Sequence, residues 1–305
     1  MFAGKTENTD RRYAYDAIIV GSGIIGCCTA FELAQKGYRT LNVDKLASAG
    51  AGSTANSCAV IRVHYSTLDG TALAFEGYHY WNAWRDFLGM EDPRGMAEFY
   101  KRGIMVFKSG PNQGLKTICG HLTALGIPYE DLDVAAIKAK NPLLDNTSYA
   151  PPRRPEDPRF GVANRHPLEG AIYYSHGGYI SDPVLSTLNV QVAAESHGAD
   201  FRFKSEVVAI PIAGGRVQGV HLADGSRITA PVVVNAAGPH SFIINRLAGV
   251  EAGMKIRTRA LRHEVVHVPA PEGFDFEAHG CPSSDSDVGA YWRPEVGNHI
   301  LSGSE

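Results

Sequence analysis

The sequence predicts an α/β fold of two domains, one built on a parallel sheet and one rich in β-strands. Residues 16–44 read as a buried strand, a glycine turn, a helix and a second strand, in that order. A second buried strand, at residues 232–235, also ends in a glycine turn. Short strand patterns separated by turn residues occupy much of the chain beyond residue 200. A length of 305 residues allows roughly two domains.

The first element is a strand that leads directly into a glycine-rich turn. Residues 16–20 form a nearly continuous apolar run, typical of a parallel strand buried on both faces. Gly21-x-Gly23-x-x-Gly26 follows at once. The first glycine permits a tight turn, the second lets the backbone approach a pyrophosphate, and the third lets helix and strand pack closely.

A helix and a second strand complete the βαβ unit. Residues 27–36 show a helical pattern that stops at Gly37, and residues 40–43 read as a strand that ends at Asp44. An acid at this offset is suited to accept hydrogen bonds from ribose hydroxyls. The context therefore predicts a Rossmann-like dinucleotide site, although the motif alone does not separate FAD from NAD.

The middle of the chain combines loops with a few regular elements. Residues 47–57 are rich in Ala, Gly, Ser and Thr, which predicts a loop whose backbone can approach a ligand. We expect helices over 71–88 and 114–125 and a strand over 98–108. Residues 141–167 contain six prolines and no periodicity, which predicts a proline-rich surface insertion.

Strand patterns dominate after residue 170. Pro183 is expected at the start of a helix, a position that proline favours, and that helix should reach about residue 197. Asp224-Gly225 marks a hairpin turn. The other expected elements are strands at 171–174, 201–203, 207–212, 217–222 and 232–235, a helix through 247, and strands and loops over 255–305.

Composition argues against several classes of function. A net charge of −3 offers no cationic excess for nucleic acid, and no apolar run reaches the roughly 18–20 residues of a membrane span. The five cysteines are scattered without zinc-like spacing, so we expect no metal site and a reduced, cytoplasmic setting. The polar start, residues 1–12, does not read as a signal peptide and is expected to be a flexible lead-in.

Five segments together resemble one enzyme family: residues 20–26 with Asp44, 52–66, 177–183, 233–241 and 291–305. In order and spacing they are similar to the D-amino-acid oxidase/sarcosine oxidase-like superfamily of FAD-dependent oxidoreductases. The branch of the sarcosine oxidase beta-subunit and dimethylglycine dehydrogenase looks nearest. The resemblance implies FAD as the cofactor and a GR2-type FAD-binding domain beside a discontinuous, β-rich substrate domain.

The resemblance also implies domain ranges and cofactor contacts. The FAD-binding domain is expected to use residues 13–84 and 177–250, and the substrate domain residues 85–176 and 251–305. Relatives with histidine-linked flavin carry His where this chain has Asn56, so the FAD is expected to be non-covalent. The expected cofactor-binding residues are Gly21, Ser22, Gly23, Ile24, Ile25, Gly26, Asp44, Lys45, Ser53, Thr54, Asn56, Ser57, Val207, Val208, Ala236, Ala237 and Gly238.

Four residues are the candidates for catalysis and substrate binding. Arg62 resembles the family arginine that clamps a substrate carboxylate, a task suited to a planar bidentate donor; a surface ion pair is the alternative. His64 and Tyr65 follow it and could border the flavin or the substrate, although for His64 a structural role is favoured over a catalytic one. His263 resembles a position in a substrate-domain strand over the flavin.

The function implied by the resemblance is oxidation of the C–N bond of an amine or amino acid by hydride transfer to flavin N5. The substrate would be of the sarcosine, N-methyl, D-amino or imino acid type. The family continues past the segment that ends at Glu305, so a non-catalytic or truncated FAD-binding subunit is the alternative. A partner subunit would then supply the remainder. The expected partners are therefore the small-molecule substrate and either a partner subunit or further copies of the chain in a homo-oligomer. A nicotinamide-dependent dehydrogenase fits the glycine turn but not residues 233–241.

Overall fold

The structure is a computed structural model that describes residues 13–110, 112, 114–164 and 166–304. The predicted flexible lead-in, residues 1–12, lies outside the described residues. Contacts between Cα atoms divide the chain into two compact units. Unit 1 comprises residues 13–55, 88–96 and 184–261, and unit 2 comprises 56–87, 97–183 and 262–304, as far as these residues are described.

Strands and helices alternate along the first half, and strands dominate the second. The helices are α1 (Ile24–Gln35), α2 (Leu68–Asn82), α3 (Trp84–Leu88), α4 (Leu115–Ala124), α5 (Val134–Lys140), α6 (Pro183–Ser196), α7 (Ser241–Leu247) and α8 (Phe276–His279). Two 3₁₀ turns cover Gly238–His240 and Glu251–Gly253. The strands are β1 (Ala17–Val20), β2 (Thr40–Val43), β3 (Val60–Ile61), β4 (Phe99–Tyr100), β5 (Ile104–Lys108), β6 (Glu130–Leu132), β7 (Gly170–Tyr174), β8 (Gly178–Ile180), β9 (Asp200–Arg202), β10 (Val207–Ala209), β11 (Ile212–Ala213), β12 (Arg216–Val217), β13 (Gly219–Leu222), β14 (Arg227–Thr229), β15 (Val233–Asn235), β16 (Val265–Pro269), β17 (Ser283–Asp285), β18 (Ala290–Glu295) and β19 (His299–Ser304).

A four-stranded parallel sheet forms the centre of unit 1. Its strand order is β15-β1-β2-β9, and Ile18 of β1 lies opposite both Val233 and Leu41. All four residues of β1 are buried, as the apolar run predicted for a strand covered on both faces. The mixed helix and sheet architecture with its parallel sheet confirms the predicted α/β fold class.

Unit 1 also contains a small antiparallel sheet and a short hairpin. The sheet has the order β10-β13-β14, and β11 pairs with β12. Its apolar side chains join the parallel sheet in one core, in which Val43, Val220 and Leu222 are almost fully buried. This packing places the start of β10 near the end of β2, since Ser205 N–H donates to the carbonyl of Asp44 at 2.8 Å.

A seven-stranded sheet forms the centre of unit 2. The order is β16-β19-β18-β17-β5-β7-β6, mostly antiparallel, with β17 and β5 running parallel. One face packs against α2 and α4 through Ile104, Val106 and Tyr174, and the other packs against α5 through Met105 and Phe107. Alternate residues of β5 therefore enter two separate apolar clusters, as expected of a strand covered on both faces.

Some predicted elements differ from the observed ones at their ends. The helix expected from residue 27 begins at Ile24, because the last glycine of the turn already has helical geometry. The strand expected over 98–108 is split into β4 and β5. Gly103 separates them with φ +70°, and a Cβ there would meet the Tyr173 ring at 2.4–2.6 Å.

The proline-rich segment 141–167 contains neither helix nor strand among its described residues. It is more than a surface insertion, because Ser148 is buried and donates from Oγ to Asp287 Oδ1 at 2.6 Å. Asn164 Nδ2 donates to Ser148 Oγ at 2.7 Å. Polar contacts therefore hold this segment to unit 2, which its composition alone did not indicate.

The domain ranges inferred from the sequence stay a prediction, and the compact units follow other boundaries. Residues 56–84, expected in the first domain, belong to unit 2, where Val63 and Tyr78 pack with Ile104 and Val106. β8 likewise joins β3 and β4 in a three-stranded sheet of unit 2. Among the described residues, no helix has the length and apolar character needed to cross a bilayer.

Candidate functional site

The glycine turn between β1 and α1 is held by close backbone contacts. Gly21 has φ +110°, and a Cβ on it would lie 2.3 Å from the carbonyl oxygen of Ala236. A Cβ on Gly26 would lie 2.0 Å from the carbonyl oxygen of Gly21. Both positions therefore require glycine, for the turn geometry in one case and for the contact between helix and strand in the other.

The N-terminus of α1 presents backbone donors beside this turn. Gly23 is its N-cap and makes no side-chain cap hydrogen bond. Ile24 N–H donates to Thr54 Oγ1 at 3.3 Å, and the first N–H groups of a helix have no partner within the helix. These donors and the positive end of the helix dipole favour an anion such as a phosphate.

Asp44 lies at the end of β2 and is oriented by two backbone donors. Its carboxylate accepts from Ser22 N–H at 2.7 Å and from Leu46 N–H at 2.9 Å. Each carboxylate oxygen has further acceptor capacity. The side chain can therefore accept from additional hydroxyl donors, and its contact with a ribose stays a prediction.

A cavity of about 260 Å³ in unit 1, here the dinucleotide cavity, collects many of the predicted cofactor residues. Those that line it are Gly21, Gly23, Asp44, Lys45, Ser53, Thr54, Val207, Ala236, Ala237 and Gly238. It also has lining residues that sequence reasoning missed, among them Glu206, Pro239 and His240. Pro239 and His240 directly follow the second glycine turn, and this position in the sequence could have indicated them as candidates.

Other predicted cofactor residues do not line the dinucleotide cavity. Ser22 and Gly26 are buried within the turn, while Ile25 and Val208 are largely exposed. Ile24 contributes its backbone N–H to Thr54, as described above. Asn56 and Ser57 belong to unit 2, and both are exposed. For these residues the predicted contact with the cofactor stays a prediction.

The donor set of the dinucleotide cavity fits a dinucleotide. It combines N–H donors at the start of α1 that have no partner within the helix, an oriented carboxylate and two glycines, Gly23 and Gly238, that leave room for close approach. A Cβ on Gly23 would lie only 3.1 Å from Thr54 Oγ1, so a side chain there would crowd the phosphate donors. The site matches pyrophosphate and ribose chemistry in one cavity.

A larger cavity of about 660 Å³ lies within unit 2 and is here called the front-face cavity. It brings together all four candidate substrate residues: Arg62, His64, Tyr65 and His263. Its other walls include Ser57, Cys58, Val60, Ile104, Val106, Ser284, Ser286, Tyr291 and Trp292. Its volume lies within the range of roughly 300–1,000 Å³ that is usual for small-molecule sites.

Arg62 is the principal cation of the front-face cavity. It is exposed, and its guanidinium carbon lies 4.9 Å from the centre of the Tyr65 ring. Among the residues that the structure describes, no carboxylate forms an ion pair with it, so a structural ion pair does not account for its position. Contact with an aromatic face orients the guanidinium and leaves its N–H donors available.

His64 is a buried, neutral histidine. A hydrogen bond of 2.5 Å joins its Nδ1 to the hydroxyl of Tyr174, and the ring tautomer decides which of them donates. Burial, followed by the positive charge of Arg62, lowers the pKa of His64 to about 3. His64 therefore stays uncharged near neutral pH, where it can shape the cavity wall but cannot supply a positive charge.

Replacing His64 with glutamine should remove an acid-dependent loss of stability. The folded-state pKa of about 3 lies below the unfolded value of 6.5, so unfolding takes up a proton between these pH values. Because of this proton uptake, the free energy of unfolding of the unsubstituted protein should decrease by ~1.4 kcal/mol per pH unit as the pH falls from 6.5 towards 3. Urea denaturation measured at several pH values tests this.

The matched control is His166→Gln, because His166 is exposed. It should keep the pH slope of the unsubstituted protein, whereas His64→Gln should flatten it. Equal slopes for His64→Gln and the unsubstituted protein would show that His64 is not held neutral in the folded state.

Two residues of β18 line or support this site although sequence reasoning gave them no role. Tyr291 lines the front-face cavity, and burial together with a hydrogen bond to Cys58 raises its pKa to about 12. Arg293 is buried and donates from Nε to the carbonyl oxygen of Cys58 at 2.6 Å. It also pairs with Glu295 at 2.8 Å. Their segment, residues 291–295, was recognised only as part of a family pattern.

The charge of the front-face cavity is one-sided. None of the described residues that line it is an aspartate or a glutamate, whereas Arg62 contributes a permanent positive charge. His263 is exposed at its edge. The described residues contain no group of three or more side chains suited to hold a metal ion. The lining therefore favours an anionic ligand, since the described lining residues include no acid to oppose it.

Comparison with known protein families agrees with these features. The family model described as FAD dependent oxidoreductase, named DAO, matches residues 16–305. The chain belongs to this family. The match includes the glycine turn, Asp44 and the strands of both units, and it confirms the resemblance inferred from the sequence.

Two curated relatives illustrate the range of the family. Peroxisomal sarcosine oxidase of Homo sapiens is 28% identical over 144 residues, which cover 44% of this chain and 35% of the relative. A tRNA 5-methylaminomethyl-2-thiouridine biosynthesis bifunctional protein of Paraburkholderia xenovorans is 24% identical over 83% of this chain and 34% of its own length. This chain thus spans about a third of the length of the curated relatives it matches.

Solved structures share the fold over nearly all of the chain. L-proline dehydrogenase from P. horikoshii matches with a TM-score of 0.76 and 20% identity, covering 95% of this chain and 69% of that one. Glycine oxidase from Geobacillus kaustophilus matches with a TM-score of 0.74 and 22% identity, covering 96% and 71%. At 20–22% identity these similarities show a shared fold and nothing further.

Proposed function

We propose that this chain forms the FAD site and substrate site of an enzyme that oxidises the C–N bond of an amine bearing a carboxylate. Sarcosine and other N-methyl amino acids, simple amino acids and imino acids are the substrate class. The observation that carries the proposal is Arg62, a cation without an ion-pair partner among the described residues, in a cavity whose described lining has no acid. The names of the similar proteins, sarcosine oxidase, glycine oxidase and L-proline dehydrogenase, support this class.

Bound FAD would supply the acceptor for a hydride from the carbon next to the amine nitrogen. Loss of this hydride converts the amine into an imine, which water then hydrolyses. The residues of the chain bind and orient the substrate. Arg62 holds the carboxylate through paired N–H donors, so the α-carbon takes a defined position. The lining also disfavours the ammonium form of the substrate, because Arg62 is cationic, His64 is neutral and no described lining residue is acidic. The reactive neutral amine is thereby favoured without a side-chain base.

The FAD is proposed to bind without a covalent bond, with its phosphates at the N-terminus of α1 and its ribose at Asp44. Support comes from the backbone donors of the turn and the two hydrogen bonds that orient Asp44. Acid precipitation of the flavin-loaded protein tests this part. Flavin absorbance should pass entirely into the supernatant, and colour retained by the pellet would contradict it.

The substrate class is tested by anaerobic titration of the flavin-loaded protein with three matched pairs of compounds. Each pair is an amino acid and the amine that lacks its carboxylate: sarcosine and dimethylamine, glycine and methylamine, L-proline and pyrrolidine. At least one acid should bleach the visible flavin absorbance, and its amine should not. Bleaching by amines alone would contradict the role of Arg62. Stable FAD binding without bleaching by any compound would support the non-catalytic FAD-binding subunit instead.

A further inference from the structure

The seven-stranded sheet of unit 2 has a second cavity on the face opposite the front-face cavity. Successive side chains of a strand point to opposite faces, and β5 shows this directly. Ile104 and Val106 line the front-face cavity, whereas Met105 and Phe107 line a separate cavity of about 180 Å³, here the reverse-face cavity. Tyr173 of β7 lies opposite Met105 and lines the same side.

Aromatic side chains form much of the wall of the reverse-face cavity. Phe107, Tyr173, Phe276 and Trp292 all line it. The rings of Phe107 and Trp292 are nearly parallel, at 29°, with their centres 5.9 Å apart. The volume is below the roughly 300–1,000 Å³ of drug-sized sites. These walls suit a small, flat molecule.

The polar part of the lining is basic. Lys140 Nζ lies 4.2 Å from the centre of the Tyr173 ring, and no carboxylate of the described chain pairs with it. Arg102 donates to the carbonyl oxygens of Ala278 at 2.7 Å and Glu277 at 3.2 Å. Arg102 and the exposed His279 also line the cavity. Among the described lining residues there is no aspartate or glutamate to balance these groups.

Cys281 does not offset this charge. It lies in the wall of the reverse-face cavity, and burial raises the pKa of its thiol above the ordinary value. The thiol is therefore uncharged near neutral pH and contributes an apolar surface. The net effect of the described lining is positive potential at one side of a small, largely aromatic cavity.

We propose that the reverse-face cavity is a binding site for a small aromatic carboxylate, separate from the substrate and FAD sites. The flat ring lies among Phe107, Tyr173 and Trp292, and the carboxylate pairs with Lys140. A carboxylate would give Lys140 the ionic partner that it lacks among the described residues. The proposal does not depend on the oxidation reaction, because no step of that reaction uses Lys140 or Tyr173.

Benzoate is the probe, and Trp292 is the reporter. The chain has three tryptophans, at positions 81, 84 and 292, so a spectrum of the protein labelled with ¹⁵N in its indole groups contains few peaks. The variant Trp292→Phe identifies the relevant peak. Benzoate should shift this peak in a saturable manner, in the flavin-loaded full chain. Benzamide, which has the same ring and shape without the charge, should bind at least about tenfold more weakly.

Because Trp292 also lines the front-face cavity, two variants locate the binding site. Lys140→Met should weaken benzoate binding about tenfold or more, and Arg62→Ala should leave it within about twofold. Lys138→Met is the matched control, since Lys138 is exposed on the same helix and does not line the cavity. It should leave the affinity unchanged.

Three results would overturn the proposal. One is loss of binding in Arg62→Ala while Lys140→Met retains it, which would place benzoate in the front-face cavity. Another is equal weakening by Lys138→Met and Lys140→Met, which would indicate a general charge effect. The third is the absence of a saturable shift below about 10 mM benzoate. The comparison of benzoate with benzamide needs no variant, so the proposal remains testable if a variant does not fold.

Discussion

Replacing Gly26 with alanine should abolish FAD binding and destabilise unit 1. The added Cβ would lie 2.0 Å from the carbonyl oxygen of Gly21, a backbone atom that no side-chain rotation can move away. Helix α1 would have to shift from β1, at a cost of about 1–3 kcal/mol or more. The shift would also displace the N–H donors at the helix start. Loss of two charge-assisted hydrogen bonds, ~1.5–3 kcal/mol each, predicts at least about a hundredfold weaker FAD binding.

Gly77→Ala is the matched control for the Gly26 prediction. Gly77 lies inside α2, and a Cβ there meets no atom within 4 Å. Alanine favours a helix over glycine by up to ~1 kcal/mol, so this variant should be as stable as the unsubstituted protein or more so. Thermal denaturation and titration with FAD measure both effects. Unchanged FAD affinity in Gly26→Ala would show that the turn does not hold the phosphates.

Replacing Arg62 with alanine should cost most of the catalytic efficiency on amino acids. A bidentate guanidinium–carboxylate pair provides two charge-assisted hydrogen bonds, and no other arginine or lysine lines the described front-face cavity. Their loss predicts a decrease in kcat/KM of about 10²–10³, or ~3–4 kcal/mol. Arg62→Lys keeps the positive charge but lacks the planar pair of donors. Its kcat/KM should therefore lie between those of the unsubstituted protein and Arg62→Ala.

The control substitution is Arg257→Ala, an exposed arginine outside both cavities of unit 2. It should leave kcat/KM within about twofold, as expected for a surface substitution. Steady-state rates are to be compared for sarcosine and for the other amino acids that bleach the flavin. If Arg62→Ala reduced the rates of carboxylate-free amines as strongly as those of amino acids, Arg62 would not act as a carboxylate clamp.

The dinucleotide cavity was largely predictable because its central motif is local in sequence. Gly21, Gly26 and Asp44 fall within 24 residues. The two glycines meet backbone requirements that other residues do not, and Asp44 supplies a carboxylate at the expected offset. The second glycine turn was recognised in the same way, but the contact of Ala236 with Gly21 is seen only in the structure. The start of α1 and the break at Gly103 were less predictable, because they depend on packing as well as propensity.

The state of His64 could not be read from its neighbours in the chain. Its partner, Tyr174, lies 110 residues away, and its lowered pKa comes from burial that the folded sheet creates. The roles of Tyr291 and Arg293 beside Cys58 also depend on pairing between distant segments. Residue type marked these positions as polar, but only the fold shows which of them are buried or aligned with the cavity.

The sequence alone determined the α/β class, the βαβ turn with its acid, and the family, because these depend on short motifs with demanding backbone geometry. The tertiary structure decided which side chains share a cavity. Ile104 and Met105 are adjacent in sequence, yet they line different cavities, since the register of β5 with β7 and β17 turns alternate side chains to opposite faces. Such assignments need the pairing of strands far apart in the chain, which local patterns do not specify.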